Sequence, residues 1–136
     1  MVDFVVITHG DFGAYLVEAA EEIVGRQPAG IKSVSISSRA GLADVKKKVA
    51  RIIAERAPGH GLIVAVDMPG GTPANVAIPI AKDLPDVRVV SGINLYMLVS
   101  AFRLRTAATL DAVVGSMLAD GQKSIRDMKA ALGVAT

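Results

Sequence analysis

The sequence predicts an α/β protein built on a parallel sheet, because strand-like segments alternate with helical segments along the chain. The composition agrees: 51% of the 136 residues are hydrophobic and only 4% are aromatic, which suits a layered core of Ala, Val, Ile and Leu. The segment Leu62–Val66 is wholly apolar, as expected of a central strand that is buried on both faces. The length suits a single domain over residues 1–136.

Four segments carry the pattern of strands. The first contains three consecutive β-branched residues, Val5, Val6 and Ile7, and runs directly into His9-Gly10. The third is the apolar segment that ends at Asp67. We expect strands at Asp3–Thr8, Ile31–Ile36, Leu62–Val66 and Val87–Ser91.

Helical periodicity fills the segments between the strands. Gly25 is a natural stop for the first helix, and Pro58-Gly59 ends the second. Thr72 is predicted to be the N-cap of the third helix with Pro73 at its first position. Pro79 should kink or shorten that helix because it lacks an N–H. The predicted helices are Gly13–Gly25, Gly41–Ala57, one from Thr72, one through Leu98 and Phe102, and Leu110–Leu118.

Two helices are amphipathic enough to predict which side chains they bury. The buried face of the first is predicted to contain Leu16, Ala20, Ile23 and Val24, and that of the second Leu42, Val45, Val49, Ile52 and Ile53. By periodicity alone the tail over Lys123–Leu132 is a further amphipathic helix, with Ile125, Met128 and Leu132 in register.

Composition and charge exclude several classes of function. The chain has no cysteine, so disulfides, thiolate metal sites and cysteine nucleophiles are excluded. No apolar run approaches the ~18 residues of a membrane span, and the N-terminus lacks the basic region of a signal peptide, so we expect a cytoplasmic protein. The net charge is only +2, and the one basic run, Lys46–Lys48, is interpreted as a solvated helix face rather than a nucleic-acid site.

Three predicted strands end in polar or glycine-containing turns: Thr8-His9-Gly10, Asp67–Thr72 and Ser91–Asn94. Ligand sites of open parallel sheets lie at this edge, and His9 and Asp67 meet there if the first and third strands are neighbours. A carboxylate bonded to one ring nitrogen fixes the tautomer and leaves the other nitrogen as nucleophile. The helix that opens at Gly70-Gly71-Thr72 offers backbone N–H groups and a hydroxyl to an anion, so together these groups predict a phosphoryl site.

Other candidate residues carry weaker signals. His60 lies before a predicted strand, hence at the opposite edge of the sheet, and is interpreted as a solvated loop residue. Tyr15 and Tyr96 are interpreted as packing residues rather than acids. Three arginines are interpreted as part of either a docking surface or an ordinary solvated surface: Arg39, Arg103 and Arg105.

Three motifs together resemble the mannose-type enzyme IIA (EIIA) domain of the bacterial phosphoenolpyruvate-dependent sugar phosphotransferase system. They are Val6–Gly10, Val66–Asn75 and Ser91–Leu98, in the family's order and at about its spacing, and the resemblance spans nearly the whole chain. It implies that His9 is the phosphorylated histidine and Asp67 its partner. The candidate phosphoryl-binding residues are Thr8, Gly10, Gly71 and Thr72, and no metal or cofactor is implied.

The resemblance also implies an architecture and a set of partners. The fold would be a doubly wound, four-stranded parallel sheet with helices on both faces, plus a C-terminal antiparallel strand around Ser124–Met128 that is exchanged in a homodimer. The donor would be the phosphorylated histidine carrier protein (HPr) and the acceptor a IIB protein, with the membrane reached only indirectly through a IIC/IID permease. No nucleic acid is expected among the partners.

The sequence departs from the family pattern at three places. Pro69 stands where an aromatic residue is common, and Asp11-Phe12 replaces a more apolar turn. The chain stops at Thr136 without a linker to a IIB domain, so we expect a separate acceptor protein, or a regulatory member without a dedicated sugar.

Three functions therefore remain open. The first is a phosphocarrier, a transferase acting through a phosphohistidine in sugar uptake or regulation. The second is a phosphohistidine mutase or phosphatase, although Thr8 stands where such enzymes normally have Arg and His60 is at the wrong edge to serve as their second histidine. The third is a regulatory module that binds a small molecule at the same edge of the sheet.

Overall fold

The fold is a four-stranded sheet, seen in a computed structural model that describes residues 1–57 and 59–133. The strands are β1 (Asp3–His9), β2 (Ile31–Ile36), β3 (Leu62–Val66) and β4 (Val87–Val90). Their order is β2-β1-β3-β4 and every pair is parallel, so the predicted parallel sheet is confirmed. Only the ends of β1 and β4 differ from the prediction, by one residue each. The predicted helix stop at Pro58 lies outside the described residues.

Helices cover both faces of the sheet, which confirms the doubly wound architecture. Alternate residues of β1 enter different cores: Phe4 and Val6 pack with α1, α4 and α5, whereas Val5 and Ile7 pack with α2 and α3. The helices of the described residues are α1 (Phe12–Val24), α2 (Leu42–Arg56), α3 (Thr72–Ala81), α4 (Leu95–Leu104), α5 (Leu110–Lys123) and α6 (Met128–Ala131).

Helix α3 begins one residue earlier than predicted, since the predicted N-cap was Thr72. Its N-cap is Gly71, with φ of 105°, so Thr72 is the first helical residue and Pro73 the second. A positive φ is easily reached only by glycine, which explains why the cap is not the threonine. Pro79 lies inside α3, and the helix ends two residues later at Ala81.

The buried face of α1 differs from the predicted one at Ile23 alone, because Ala20 is buried and Leu16 and Val24 pack against the core partly buried. Gly13, Val17 and Ala20 are its buried residues, whereas Ile23 is exposed. Tyr15 points away from that face and is exposed, and Tyr96 is also half exposed on α4. The interpretation of the two tyrosines as packing residues is therefore wrong for this chain alone.

The C-terminal segment forms neither the continuous helix that its periodicity predicts nor the strand that the family resemblance implies. Helix α5 ends at Lys123, the next four residues carry no strand or helix, and the short helix α6 follows with the Asp127 side chain as its cap. A strand around Ser124–Met128 is thus absent from the described single chain. The physical reason is that a strand needs a hydrogen-bonded neighbour, which an exchanged strand finds only in a second subunit. The exchange itself stays a prediction.

Arg105 is a buried structural residue, so both surface interpretations of it are wrong. Its side chain is 0% exposed, and Nε, Nη1 and Nη2 donate to Val2 O, Gln27 Oε1 and Ala29 O at 2.9, 3.1 and 2.9 Å. The Asp3 carboxylate lies 3.9 Å from Nη2. These contacts satisfy the guanidinium and join the end of α4 to the start of β1. Arg39 and Arg103 are exposed, as expected.

Within residues 1–57 and 59–133, none of the helices is long and apolar enough to span a bilayer.

Candidate functional site

The site lies at the carboxyl edge of the sheet, where β1 and β3 end side by side. Their pairing brings Ile7 opposite Val66, and Asp67 directly follows Val66 while His9 lies two residues beyond Ile7, so the two strand ends place His9 beside Asp67. Asp67 Oδ2 accepts a hydrogen bond from the His9 backbone N at 2.9 Å and lies 2.7 Å from the ring Nδ1. The predicted meeting of these two side chains is therefore present in the structure.

The Asp67 contact selects the tautomer of the His9 ring. An ionised carboxylate can only accept, so we assign the proton to Nδ1, which leaves Nε2 with a free lone pair. The side chain that carries Nε2 is 53% exposed. Gly71 packs against this side of the ring: a Cβ atom added there would lie 3.2 Å from Cε1 and 3.6 Å from Nε2. The arrangement presents a nucleophilic nitrogen next to the start of α3.

Asp67 is held in its charged form by His9. Burial opposes ionisation, but the hydrogen bonds that the backbone and the ring of His9 donate outweigh that cost and lower the pKa of Asp67 below 3.8. Its other oxygen, Oδ1, is buried without a hydrogen-bond partner among the residues that the structure describes. The carboxylate thus depends on His9 for compensation of its charge.

Thr8 and Gly10 shape the turn that carries His9. Thr8 is 1% exposed, and its hydroxyl donates to Gly10 O at 3.1 Å while accepting from Gly13 N at 2.9 Å. The Gly10 N–H donates to Ile36 O at 3.0 Å. Both donors are therefore used inside the protein, and direct contact with a phosphoryl group, as predicted for these two residues, has no support from this geometry. They hold the backbone that carries His9.

An open cleft of about 810 Å³ surrounds the exposed side of His9. Thr72, the first residue of α3, lines it, as do Leu42 and Val45 of α2. Two helices therefore begin at this cleft, and the partial positive charge of a helix N-terminus favours an anion. The remaining lining comes from Gly10 and Asp11 in the β1–α1 turn, from the end of β2, and from the β2–α2 loop, which includes Ser37 and Ser38. The β2–α2 loop is not among the predicted site turns, although it also directly follows a predicted strand and has the polar residues of a strand-end turn.

The third predicted turn, Ser91–Asn94, caps a helix instead of lining the cleft. The Asn94 side chain accepts from Met97 N at 3.0 Å and caps α4, and Ile93 N donates to Val66 O at 3.2 Å. Neither residue lines the cleft of His9. His60 is exposed in a turn before β3, at the opposite edge of the sheet. In the part of the chain that the structure describes, no cluster of three or more His, Asp or Glu side chains is arranged to hold a metal ion.

Comparison with known proteins identifies the family. The model of the family described as "PTS system fructose IIA component" (EIIA-man) matches residues 3–118. A protein of Bacillus subtilis (strain 168), named as the "PTS system fructose-specific EIIA component", is 25% identical over 126 residues, which are 93% of this chain and 86% of that protein.

Solved structures agree in fold and in sequence. The phosphotransferase system component EIIA from Streptococcus agalactiae superposes with a TM-score of 0.82 and 26% identity, covering 96% of this chain and 99% of its own. The mannose/sorbose-specific IIA subunit from Enterococcus faecalis gives a TM-score of 0.80 and 28% identity, with 92% of each chain covered. With the family model matching most of its length, this chain belongs to the EIIA-man family and is an EIIA component of a sugar phosphotransferase system.

Proposed function

We propose that this EIIA component is a phosphocarrier in which His9 Nε2 accepts a phosphoryl group from phosphorylated HPr and passes it to a IIB protein. The observation that carries the proposal is the 2.7 Å contact between His9 Nδ1 and Asp67 Oδ2. This contact leaves Nε2 unprotonated at an open cleft, as a nucleophile for phosphoryl transfer must be. EIIA proteins work with a phosphocarrier and IIB partners, which supports the assignment of donor and acceptor.

The transfer needs no chemistry beyond positioning and charge stabilisation. The Nε2 lone pair attacks phosphorus in line, a new N–P bond forms at His9, and the N–P bond to the donor's histidine breaks, with its electron pair returning to the donor ring. The His9 ring keeps its Nδ1 proton and becomes cationic. Asp67 then stabilises that cation, and transfer to the acceptor reverses the same steps.

The remaining site residues have supporting parts in this proposal. Gly71 provides room beside Cε1 and Nε2, which a side chain would take. Thr72 opens α3 on the same cleft, so its hydroxyl and the N-terminus of α3 are the proposed contacts for the phosphoryl oxygens. We assign Thr8 and Gly10 to positioning of the β1–α1 turn.

We further propose that the protein is a homodimer in which the two subunits exchange their C-terminal segments. Each chain would form one domain over residues 1–136. The described tail leaves Ile125, Met128 and Leu132 exposed, and a groove beside α4 is lined by Ile23 and Tyr96. Exposed apolar groups of this kind favour an additional interface. Sedimentation of a monomer at micromolar concentration would contradict the dimer. Exchange with HPr would take place in the cytoplasm, with the membrane reached through a permease.

The other two functions receive less support from the site. A phosphohistidine mutase or phosphatase would need a second histidine near the first, and His60 is at the opposite edge of the sheet. The cleft is large enough for a small polar molecule, which is what a regulatory binding module would need. The experiment must therefore distinguish a regulatory module from a phosphocarrier.

Incubation with phosphoenolpyruvate, enzyme I and HPr, followed by intact-mass analysis, tests the proposal. We expect one acid-labile phosphoryl group per chain, and none when HPr is omitted. Its transfer to a IIB protein should restore the original mass. Retention of a metabolite by a chain that HPr never phosphorylates would instead support the regulatory module.

A further inference from the structure

The charge that lines the cleft of His9 is negative. In the part of the chain that the structure describes, no lysine or arginine lines this cleft, and Asp11 in the β1–α1 turn is its acidic residue. The other polar lining includes the hydroxyl residues Ser37, Ser38 and Thr72. A phosphoryl group on His9 would therefore share the cleft with a carboxylate, and no cation of the described lining would balance the two.

The chain itself holds Asp11 close to His9. Asp11 follows His9 by two residues, so their Cα atoms lie at most about 7 Å apart. Its backbone O accepts hydrogen bonds from Ala14 N at 3.1 Å and Tyr15 N at 3.3 Å, which anchor it to the first turn of α1. The carboxylate and the imidazole thus stand on one short turn and line one cleft.

The Asp11 carboxylate has no structural task in the described residues. Its side chain is exposed and caps no N–H of α1, and it takes part in no ion pair found among residues 1–57 and 59–133. Two other charged residues stand near this edge of the sheet, Arg39 in the β2–α2 loop and Asp44 in α2, and neither lines the cleft. The charge of Asp11 therefore acts on whatever occupies the cleft.

Phosphorylation of His9 brings a second anion into this space. A phosphoryl group carries up to two negative charges, whereas the positive charge that develops on the ring is compensated at Nδ1 by Asp67. Two unit charges about 7 Å apart in water repel enough to change an equilibrium constant about threefold. A higher charge on the phosphoryl group increases that factor, and dissolved salt reduces it.

We infer that Asp11 sets the phosphoryl-transfer potential of His9. Its carboxylate destabilises the phosphorylated state, so the phosphoryl group leaves for an acceptor more readily. This inference rests on the proposed function. In the exchange, the N–P bond of phosphorylated HPr breaks and a bond to His9 Nε2 forms, and Asp11 acts through space on the product of that step.

The equilibrium constant of the exchange with HPr tests the inference. This constant compares the free proteins before and after transfer, so it does not depend on how they dock. Phosphorylated HPr is mixed with wild type, Asp11→Asn or Asp11→Lys, and intact mass at neutral pH measures the four species at equilibrium. At low salt we expect a shift toward the phosphorylated EIIA component of about fivefold in Asp11→Asn and about 25-fold in Asp11→Lys, and both shifts should shrink as salt is added.

Two control variants separate the local charge from net charge and from structure. Glu22→Gln removes the same charge from an exposed position of α1, about 16 Å farther along the helix than Asp11, and should leave the equilibrium constant unchanged. Asp11→Glu keeps the charge at the turn and should stay close to the wild type. Circular dichroism of each variant should match that of the wild type.

The wild type separates failure of this inference from failure of the proposed function. A wild type that HPr never phosphorylates overturns both. If the wild type is phosphorylated, equal constants for wild type and Asp11→Asn overturn the inference alone. A shift of the same size in Glu22→Gln, a shift that salt does not reduce, or an opposite shift in Asp11→Lys overturns it as well.

Discussion

Asp67 Oδ2 contacts His9 twice, through the backbone N at 2.9 Å and through the ring Nδ1 at 2.7 Å. One carboxylate oxygen thus fixes both the main chain at the end of β1 and the orientation of the imidazole. The pairing of β1 with β3 makes this possible, because it sets the two strand ends side by side. The consequences of this double contact can be measured separately at the ring and at the carboxylate.

Asp67→Asn should slow phosphoryl transfer while the fold is kept. The amide oxygen can still accept from Nδ1, but it carries no charge to stabilise the cationic ring. We expect single-turnover rates to fall by about 10- to 100-fold, by analogy with loss of the groups that orient catalytic or metal-binding histidines. Circular dichroism should show the same secondary structure. Unchanged rates with both HPr and IIB would refute the role proposed for Asp67.

The lowered pKa of Asp67 predicts how stability depends on pH. Because the pKa is below 3.8 in the folded state, the carboxylate contributes stability above that value and loses it as the pH falls through the folded-state pKa. His9→Ala removes the ring contact, so it should raise the pKa of Asp67. A carbon-detected NMR titration of the Asp67 carboxyl measures this directly. A titration curve identical in the two proteins would show that the ring does not stabilise the carboxylate.

Gly71→Ala should impair both folding and transfer, whereas Gly70→Ala should do neither. At Gly71 the φ is 105° and a Cβ atom would press on the His9 ring at 3.2 Å. Strain of this kind costs about 1–3 kcal/mol, and the displaced ring should react more slowly. At Gly70 a Cβ atom meets no heavy atom of the described residues within 4 Å. Denaturant unfolding and single-turnover rates provide the comparison, and equal behaviour of the two variants would contradict the role of Gly71.

Arg105→Met should destabilise the protein without changing the chemistry of the site. It removes a buried guanidinium that satisfies Val2 O and Ala29 O, and we expect a loss of about 3–5 kcal/mol in the free energy of unfolding. Arg103→Met, at an exposed position on the same helix, should cost less than about 0.5 kcal/mol. Urea titrations measure both. Comparable stabilities would mean that Arg105 is not the structural link described above.

The strands and the central contact were predictable because local pattern and topology agreed. Leu62–Val66 is wholly apolar, and β3 has these bounds in the structure. The meeting of His9 with Asp67 required only that β1 and β3 be neighbours, since parallel strands end at one edge. The start of α3 was misplaced by one residue, because the cap depends on the φ of Gly71 rather than on residue type alone.

The features that were missed depend on partners distant in sequence. Burial of Arg105 requires the carbonyls of Val2 and Ala29, and no local pattern around the arginine reveals them. The partners of the Thr8 hydroxyl, Gly10 O and Gly13 N, are likewise not indicated by any local pattern around Thr8. The tail around Ile125 has too few apolar residues for its period to decide between helix and strand.

Identification of the phosphorylated atom tests the central claim most directly. Phosphorylation by HPr should shift the long-range ¹H–¹⁵N NMR signals of one imidazole, with the phosphoryl group on Nε2 of His9 and the proton retained on Nδ1. His60→Ala should leave this signal intact, and His9→Ala should abolish all acid-labile phosphorylation. A phosphoryl group found on Nδ1 of His9, on His60, or still present in the His9→Ala protein would contradict the account.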